Sequence, residues 1–169
     1  MKCRYFLLVG FVFASVIFCG CGDKSRPADL PKLYPVKIKA TQEGSPLVGA
    51  SIEIHCMDVS AKYKIAGGIS DESGTVDLRT YGYDGAPLGK YKVIATKIVL
   101  GELPPGTKLS RFNQPDKYNL VDKKFSTEKS SDQELEITSG KNEFSIDFGA
   151  PVRYVFATGV KPPGKLPNQ

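Results

Sequence analysis

The sequence has few of the side chains from which catalytic and metal sites are usually built. Its 169 residues include one histidine, His55, and four cysteines, three of which lie within the first 21 positions. It has no G-x-S-x-G, no H-E-x-x-H and no glycine-rich phosphate-binding loop. A zinc site needs three or four ligands, and beyond the first 21 positions only His55 and Cys56 offer an imidazole or a thiol. The sequence therefore predicts a protein that is not an enzyme and that carries no metal and no cofactor.

An excess of charge of one sign is also missing. The formal net charge is +5, and removal of Lys2 and Arg4 in a cleaved leader would lower it by two, to +3. An excess this small argues against nucleic acid as a partner, because its phosphates are bound by many lysines and arginines. Amphipathic helical periodicity is absent after residue 33. The 17 glycines and 12 prolines favour short strands joined by tight turns.

Long hydrophobic runs are limited to one segment near the start of the chain. Residues 5–18 are uncharged and apolar, follow Lys2 and Arg4, and run into the pentapeptide FCGCG. The run has 14 residues. A membrane-spanning helix needs about 20. The length and the preceding positive charges instead match the apolar region of a signal peptide.

The two cysteines of FCGCG allow several interpretations. A metal pair would need further ligands, a redox pair is usually C-x-x-C on a folded scaffold, and a permanent transmembrane segment would be longer. The glycine followed by Cys21 resembles the end of the lipobox of bacterial lipoproteins. Phe18 and Cys19 stand where that motif usually has leucine and then alanine or serine. The resemblance implies a signal peptide at residues 1–20 and lipidation of Cys21.

Residues 21–33 connect this leader to the rest of the chain. The segment is polar, contains two prolines and lacks apolar periodicity, so we expect a flexible tether. Acyl chains contribute about 0.8 kcal/mol per buried methylene, and several on Cys21 would hold the chain at a membrane. We therefore expect a lipid-anchored cell-envelope protein, on the outer membrane or on the periplasmic face of the inner membrane. With Cys21 acylated, Cys56 would have no disulfide partner.

Alternation of apolar and polar residues with a period of two recurs from residue 36 onward, as in half-buried strands. In ASIEIHCM this alternation directs Cys56 inward, as a small buried hydrophobe, and His55 toward solvent. The sequence predicts an all-β fold, a seven-stranded Ig-like or prealbumin-like β-sandwich over residues 34–148. Residues 149–169 would form a C-terminal strand, VRYVFAT, and an irregular tail. The seven segments are YPVKIKAT, ASIEIHCM, YKIAGGIS, TVDLRT, KYKVIATKI, QELEITSG and NEFSIDF.

Two turns in this stretch are predicted to close hairpins, and one long loop interrupts it. DESG, with Asp71 and Gly74, would join YKIAGGIS to TVDLRT, and SGKN would join the last two strands. Residues 100–132 contain three prolines and many charges, without strand periodicity. A loop of this length inside a compact domain is usually functional or mobile.

Several of these turns also resemble a known family. GSPLVGASIEI, AGGISDESGTVDL and GAPLGKYKVIA resemble the carboxypeptidase regulatory-like domain, a transthyretin-like (prealbumin-type) β-sandwich. Ile52, Ser70 and Val76 stand where that family usually has valine, threonine and phenylalanine. The later PDKYNLVDKKFST and LEITSGKNEFSIDF resemble a variant in small lipoproteins of planctomycete-type bacteria. The resemblance covers residues 34–148 and implies a fold, whereas its turn and core motifs say almost nothing about function.

Two functions agree with these features. The first is a structural or protein-interaction module that pairs with envelope partners through exposed edge strands. The alternative is a cell-surface carbohydrate-binding module in which Tyr81, Tyr83, Phe112 and Tyr118 stack on sugars. Tyr81 and Tyr118 could instead cap the open ends of the core. The outward-facing lysines would protect strand edges or meet an anionic envelope polymer: Lys37, Lys39, Lys90, Lys92 and Lys97.

Overall fold

The computed structural model describes residues 26–103, 105–111 and 114–155. The predicted signal peptide, the predicted lipidation site Cys21, the loop residue Phe112 and the tail from residue 156 lie outside the described residues.

Contacts divide the chain into two units, Met1–Leu30 and Pro31–Gln169. In the described end of the first unit, the N–H of Leu30 donates to the carbonyl of Pro27 at 3.0 Å and closes a turn. The second unit contains all of the strands described below. Among the described residues, no helix is both long enough and apolar enough to span a membrane.

The described part of the chain forms thirteen strands and one 3₁₀ turn. The strands are β1 (Val36–Gln42), β2 (Ser45–Pro46), β3 (Ser51–Cys56), β4 (Ile65–Ile69), β5 (Thr75–Asp77), β6 (Arg79–Thr80), β7 (Tyr83–Asp84), β8 (Gly89–Thr96), β9 (Ile98–Leu100), β10 (Lys117–Asn119), β11 (Glu134–Ile137), β12 (Asn142–Asp147) and β13 (Tyr154–Val155). The 3₁₀ turn is Lys123–Phe125.

The first sheet is built around β1, which is hydrogen-bonded on both sides. On one side β12 runs parallel to it, with Thr41 opposite Asp147. On the other side β5 and β2 run antiparallel to it. Val36, Ile38 and Ala40 are buried, and Lys37 and Lys39 between them are exposed, as the alternation predicts.

Two further sheets complete the second unit. The larger has the strand order β11-β8-β3-β4-β6-β7, and all of its neighbouring strands are antiparallel. The smaller has the order β13-β10-β9 and is also antiparallel. In the larger sheet the longest strand, β8, lies between β3 and β11.

Inward side chains of the first sheet and of the six-stranded sheet meet in one hydrophobic cluster. Ile38 comes from β1, Ile52 and Ile54 come from β3, and Val93 comes from β8, and none of these four is exposed. This is the packing of a β-sandwich, whose two sheets bury their alternating apolar faces against each other. The predicted all-β fold class is confirmed.

The predicted hairpin around DESG is wrong for the residues that directly follow its turn, although the turn itself is present. The Asp71 carboxylate accepts hydrogen bonds from the N–H groups of Ser73 and Thr75, both at 2.9 Å, and Gly74 has φ of +77°. However, the strand that follows the turn, β5, pairs with β1 in the other sheet. The chain changes sheets at Leu78, and only then does β6 pair with β4. The turn therefore connects the two layers.

The predicted hairpin between the last two sandwich strands is wrong for the same reason. β11 pairs with β8 in the six-stranded sheet, whereas β12 pairs with β1 in the first sheet. Asn142 holds the connection. Its side chain accepts from the N–H of Thr138 at 2.9 Å and donates to the Pro35 carbonyl at 3.3 Å. Alternation specifies which side of a strand is buried but leaves its hydrogen-bonding neighbour open.

The second half of the predicted 100–132 loop belongs to the core. β10 lies within it, and Val121 and Phe125 are buried in the hydrophobic cluster. The Phe125 ring meets the Phe148 ring edge-on, with 5.1 Å between centroids. Because these apolar residues are four apart in a segment without period-two alternation, strand patterning gave no sign of their burial.

Candidate functional site

The β6–β7 hairpin presents the first of the predicted aromatic residues. Thr80 and Tyr83 are paired across it, so Tyr81 and Gly82 form its two-residue turn. Both turn residues have positive φ, 55° for Tyr81 and 88° for Gly82. Positive φ at both positions characterises the type I′ turn, which matches the twist of the adjoining strands. The Thr80 hydroxyl donates to the Gly85 carbonyl at 2.7 Å and fixes the base of the hairpin.

Tyr81 is the most exposed of the predicted aromatic residues that the structure describes. Its side chain is 71% exposed, and its ring meets the Tyr63 ring edge-on with 5.1 Å between centroids. A left-handed backbone is costly for a residue with a Cβ, by about 1–2 kcal/mol. Such strain persists only where surrounding structure enforces it, and it is common at binding sites. Tyr81 is therefore held out in solvent and does not cover the end of the core.

Tyr83 is in the same hairpin but in a different setting. It is half-buried and shares a face with its cross-strand partner Thr80, which is fully buried. The hairpin thus offers a ligand the part of the Tyr81 ring that does not contact Tyr63, and only part of Tyr83.

Tyr118 lies in another sheet, in the centre of β10. Its ring is covered by the Arg153 guanidinium, 4.1 Å from the ring centroid. A Cβ on Gly101 would lie 2.8 Å from the Tyr118 ring, so the ring packs directly on that glycine. β10 pairs with β9, which follows β8 in the chain, whereas Tyr81 adjoins β7. Within the larger sheet β8 and β7 are four strand spacings apart, on the order of 19 Å. β10 belongs to the separate three-stranded sheet, so the structure does not bring Tyr118 into one site with Tyr81.

The sequence did not predict a role for Arg153 or for the groove around it. Arg153 lines an open groove of about 530 Å³ together with Glu102 and the apolar side chains of Val99, Leu100 and Leu120. The sequence VRY shows only alternation, and nothing in it indicates that the arginine covers a tyrosine 35 positions earlier.

His55 lies on the outer face of the six-stranded sheet, as predicted, but its side chain is only 20% exposed. Its Nε2 is 3.0 Å from the Glu53 carboxylate and its Nδ1 is 3.6 Å from the Glu128 carboxylate. Because the two carboxylates contact opposite ring nitrogens, the three groups do not converge on one point. Among the described residues, no cluster of three histidine, cysteine or carboxylate side chains could hold a metal ion.

Cys56 packs against the core cluster, as the alternation predicts, and is a free, half-buried thiol. Its neighbour is Tyr91, whose hydroxyl donates to the Pro87 carbonyl at 2.9 Å. Burial, with a smaller contribution from the Cys56 thiol, raises the pKa of Tyr91 well above its ordinary value. The surroundings of this thiol are those of a core residue.

Two of the outward lysines have carboxylate partners. Lys37 Nζ lies 3.0 Å from the Asp77 carboxylate, and Lys92 Nζ lies 2.6 Å from that of Glu134. Hydrogen bonding to Asp77 raises the pKa of Lys37. Lysine charge on these strands is thus partly neutralised by acids on the neighbouring strands.

The outer edge of β12 is open. The N–H of Phe148 donates to the Thr41 carbonyl at 2.8 Å. Backbone direction alternates along a strand, so the N–H and C=O groups of Glu143, Ser145 and Asp147 point away from β1. All three of these residues are exposed, and within the described residues β12 is paired with β1 alone.

This strand pairs with β1 in an unbroken register and ends in a turn held by hydrogen bonds. The Asp147 carboxylate accepts from the N–H groups of Gly44 at 3.0 Å and Gly149 at 2.8 Å, and from the Thr41 hydroxyl at 2.8 Å. These hydrogen bonds lower the pKa of Asp147, and the bond from the Gly44 N–H contributes most. Neither proline nor a bulge protects β12, although both are common devices on exposed edges.

Comparison with protein-family models, with curated proteins and with solved structures finds no match to this chain. The likeness to the carboxypeptidase regulatory-like domain remains a prediction from sequence motifs. Among the described residues, the open β12 edge and the exposed β6–β7 turn are the features best suited to contact a partner.

Proposed function

We propose that this chain is a non-catalytic, lipid-anchored envelope protein whose β-sandwich acts as a protein-interaction module. The observation that supports it is the open, regular edge of β12, with three consecutive outward positions exposed: Glu143, Ser145 and Asp147. An unpaired strand edge offers a row of N–H and C=O groups that another extended chain can join. This edge belongs to the first sheet, whose central strand follows directly on the predicted tether.

The edge can be tested by photo-crosslinking in cells. A photo-reactive amino acid replaces Ser145 in the full chain, and a second version carries it at Lys129, an exposed position in the segment beside β8. We expect position 145, and not position 129, to yield discrete crosslinked proteins from the envelope fraction. Equal labelling from both positions would show that β12 has no special role.

Anchoring through Cys21 is tested separately. In the full chain, Cys21→Ser should abolish incorporation of labelled palmitate and move the protein out of the membrane fraction, whereas Cys56→Ser should change neither. Retention of the label in Cys21→Ser would place the lipid elsewhere.

Carbohydrate binding through the β6–β7 hairpin is a second candidate, favoured by the exposed and conformationally strained Tyr81. Sugar rings can stack on exposed aromatic faces, and a rigid turn keeps the loss of conformational entropy on binding small. Tyr81→Ala should abolish binding on a glycan array, and Tyr118→Ala should retain it because the Tyr118 ring is already covered by Arg153. Binding that survives Tyr81→Ala would exclude this hairpin.

A further inference from the structure

We infer that the partner of the β12 edge is the β12 edge of a second copy of this chain, joined antiparallel about a twofold axis through Phe144. This inference rests on the proposed function, since it names the partner of the same edge. The two first sheets would then form one continuous sheet across two molecules, with the same surface used by both.

The backbone limits how two such edges can pair. Only the outward groups of Glu143, Ser145 and Asp147, with those of the preceding Lys141, can form the new hydrogen bonds. A residue whose N–H and C=O groups point outward must therefore lie opposite another such residue of the second copy. Shifting one strand by two residues gives the next possible register. Four registers satisfy this condition and pair at least three residues of each β12, with the axis at Glu143, Phe144, Ser145 or Ile146.

Charge selects one of the four, and the register centred on Ile146 is the less favourable because it places Asp147 opposite Ser145, without an opposite charge. Centring the axis on Glu143 places that glutamate opposite itself, and centring it on Ser145 places Glu143 opposite Asp147. Both arrangements put like charges in directly opposed positions, which is destabilising. Centring it on Phe144 instead places Lys141 opposite Asp147 twice, and Glu143 opposite Ser145.

The selected register agrees with the positions of these side chains. Lys141 is highly exposed and lies 2.7 Å from the Glu143 carboxylate of its own chain. Its side chain therefore lies on the outer face of β12, and pairing with an acid of a neighbouring strand would share or replace its contact with Glu143. Asp147 is already fixed by the N–H groups of Gly44 and Gly149, so the carboxylate that Lys141 would meet is preorganised.

Phe144 provides the apolar part of the contact. It is only partly buried, yet it packs against the hydrophobic core from the inner face of β12. In the selected register it faces the Phe144 of the second copy in a non-hydrogen-bonded pair, where Cα atoms are about 4.5 Å apart and side chains are closest. Cross-strand aromatic pairs are among the most favourable in antiparallel sheets.

The β11 edge of the six-stranded sheet is less suited to self-association. The exposed side chains of β11 are Glu134 and Glu136, both acidic, and Glu134 is already paired with Lys92 at 2.6 Å. Two copies of β11 would bring together glutamates without a lysine between them. The charge pattern therefore assigns the self-pairing role to β12.

The contact is small, which sets the expected affinity. A stable interface buries about 800 Å² on each partner, more than a seven-residue strand pair supplies. We therefore expect a reversible dimer that forms in the micromolar range or above. Anchoring to one membrane surface would raise the effective concentration of the two copies.

The experiment uses the full chain in mild detergent, as an equal mixture of ¹⁵N-labelled and unlabelled protein, treated with a carbodiimide that joins lysines to nearby carboxylates. Mass spectrometry should find a mixed-isotope link between Lys141 and Asp147. The intrachain Lys37–Asp77 pair, 3.0 Å apart, is the internal control and should give links of one isotope.

Two variants test the edge by native mass spectrometry of the dimer fraction. Ser145→Pro removes an outward N–H without breaking a bond to β1 and should abolish the dimer. Lys141→Glu faces Asp147 with a like charge and should reduce dimer formation about tenfold, whereas Lys129→Glu, with the same charge change elsewhere, should not.

Three results would overturn the inference: links confined to single chains, mixed links that leave out Lys141 and Asp147, or a dimer that persists in Ser145→Pro. Crosslinking from position 145 to other envelope proteins alone would also overturn it, while leaving the proposed function intact. If position 145 captures neither another protein nor a second copy, both proposals fail.

Discussion

Asn119 should be one of the most sensitive polar positions in the chain. It is fully buried at the end of β10. Its Oδ1 accepts from the N–H groups of Lys97 at 2.9 Å and Val121 at 3.1 Å, and its Nδ2 donates to the Tyr154 hydroxyl at 2.9 Å. One side chain therefore connects the end of β8, the segment entering the core and β13.

The cost of Asn119→Ala follows from the groups it leaves without partners. A buried group that loses its hydrogen bond costs about 1–3 kcal/mol. The Val121 N–H is buried and should lie at the upper end of this range, whereas the Lys97 N–H is partly accessible to water and should lie at the lower end. We expect a total of about 3–4 kcal/mol, a large part of the 5–15 kcal/mol by which domains are usually stable.

Urea unfolding followed by circular dichroism measures this cost. The matched control is Tyr154→Phe, which leaves both backbone N–H groups bonded and should cost about 1 kcal/mol. If the two variants lose similar free energies of unfolding, water must replace the asparagine at these N–H groups, and the assignment of Asn119 as a buried connector would be wrong.

Three further predictions concern the turn, the acid response and the core. Gly74→Ala should lower the free energy of unfolding in urea by about 2–4 kcal/mol, because the added Cβ would collide with the Ala40 carbonyl at a positive φ. The control Gly44→Ala, with the same φ of +77° but open space around it, should cost about 1 kcal/mol. Equal losses for the two variants would exclude the collision. The lowered pKa of Asp147 means that its contribution to stability is present above the ordinary aspartate pKa and is lost as the pH falls through the lower folded value. Asp147→Asn should therefore flatten the fall in Tm between neutral and strongly acidic pH, whereas parallel Tm curves would contradict the assignment. Phe125→Ala should cost about 3–5 kcal/mol in the same urea assay; a loss below about 1 kcal/mol would show that the 100–132 segment contributes little to the core.

Sequence patterning predicted the elements of this fold better than their connections. Alternation in VKIKAT and SIEIHC predicted both strands and their buried faces, because burial of Ile38, Ile52 and Ile54 is a local property of a period-two strand. The hydrogen-bonding partners were mispredicted for β5 and β12. Two strands joined by a short turn can pair with each other or separate into two layers, and both arrangements bury the same side chains.

The candidate sites show the same division. Tyr81 and Gly82 lie in a short stretch between two predicted strands, but neither the positive φ of Tyr81 nor its exposure follows from its residue type. The cover that Arg153 provides for Tyr118 depends on pairing between β10 and β13, which lie 35 positions apart in sequence. The burial of Asn119 was not predicted, because a polar residue in a segment without apolar periodicity has the sequence signature of a loop residue.

The parallel pairing of β1 and β12 has a consequence for how the molecule is made. The Thr41 hydroxyl and the Asp147 carboxylate that it contacts are separated by 106 positions. Since the ribosome synthesises residue 41 long before residue 147, β1 cannot pair with β12 until these 106 further positions have been added. Sandwiches dominated by such distant pairings fold slowly, in milliseconds to seconds. Until then the edge of β1 that β12 later covers has no partner strand, and residues 36–42 would be a target for a chaperone that binds extended segments.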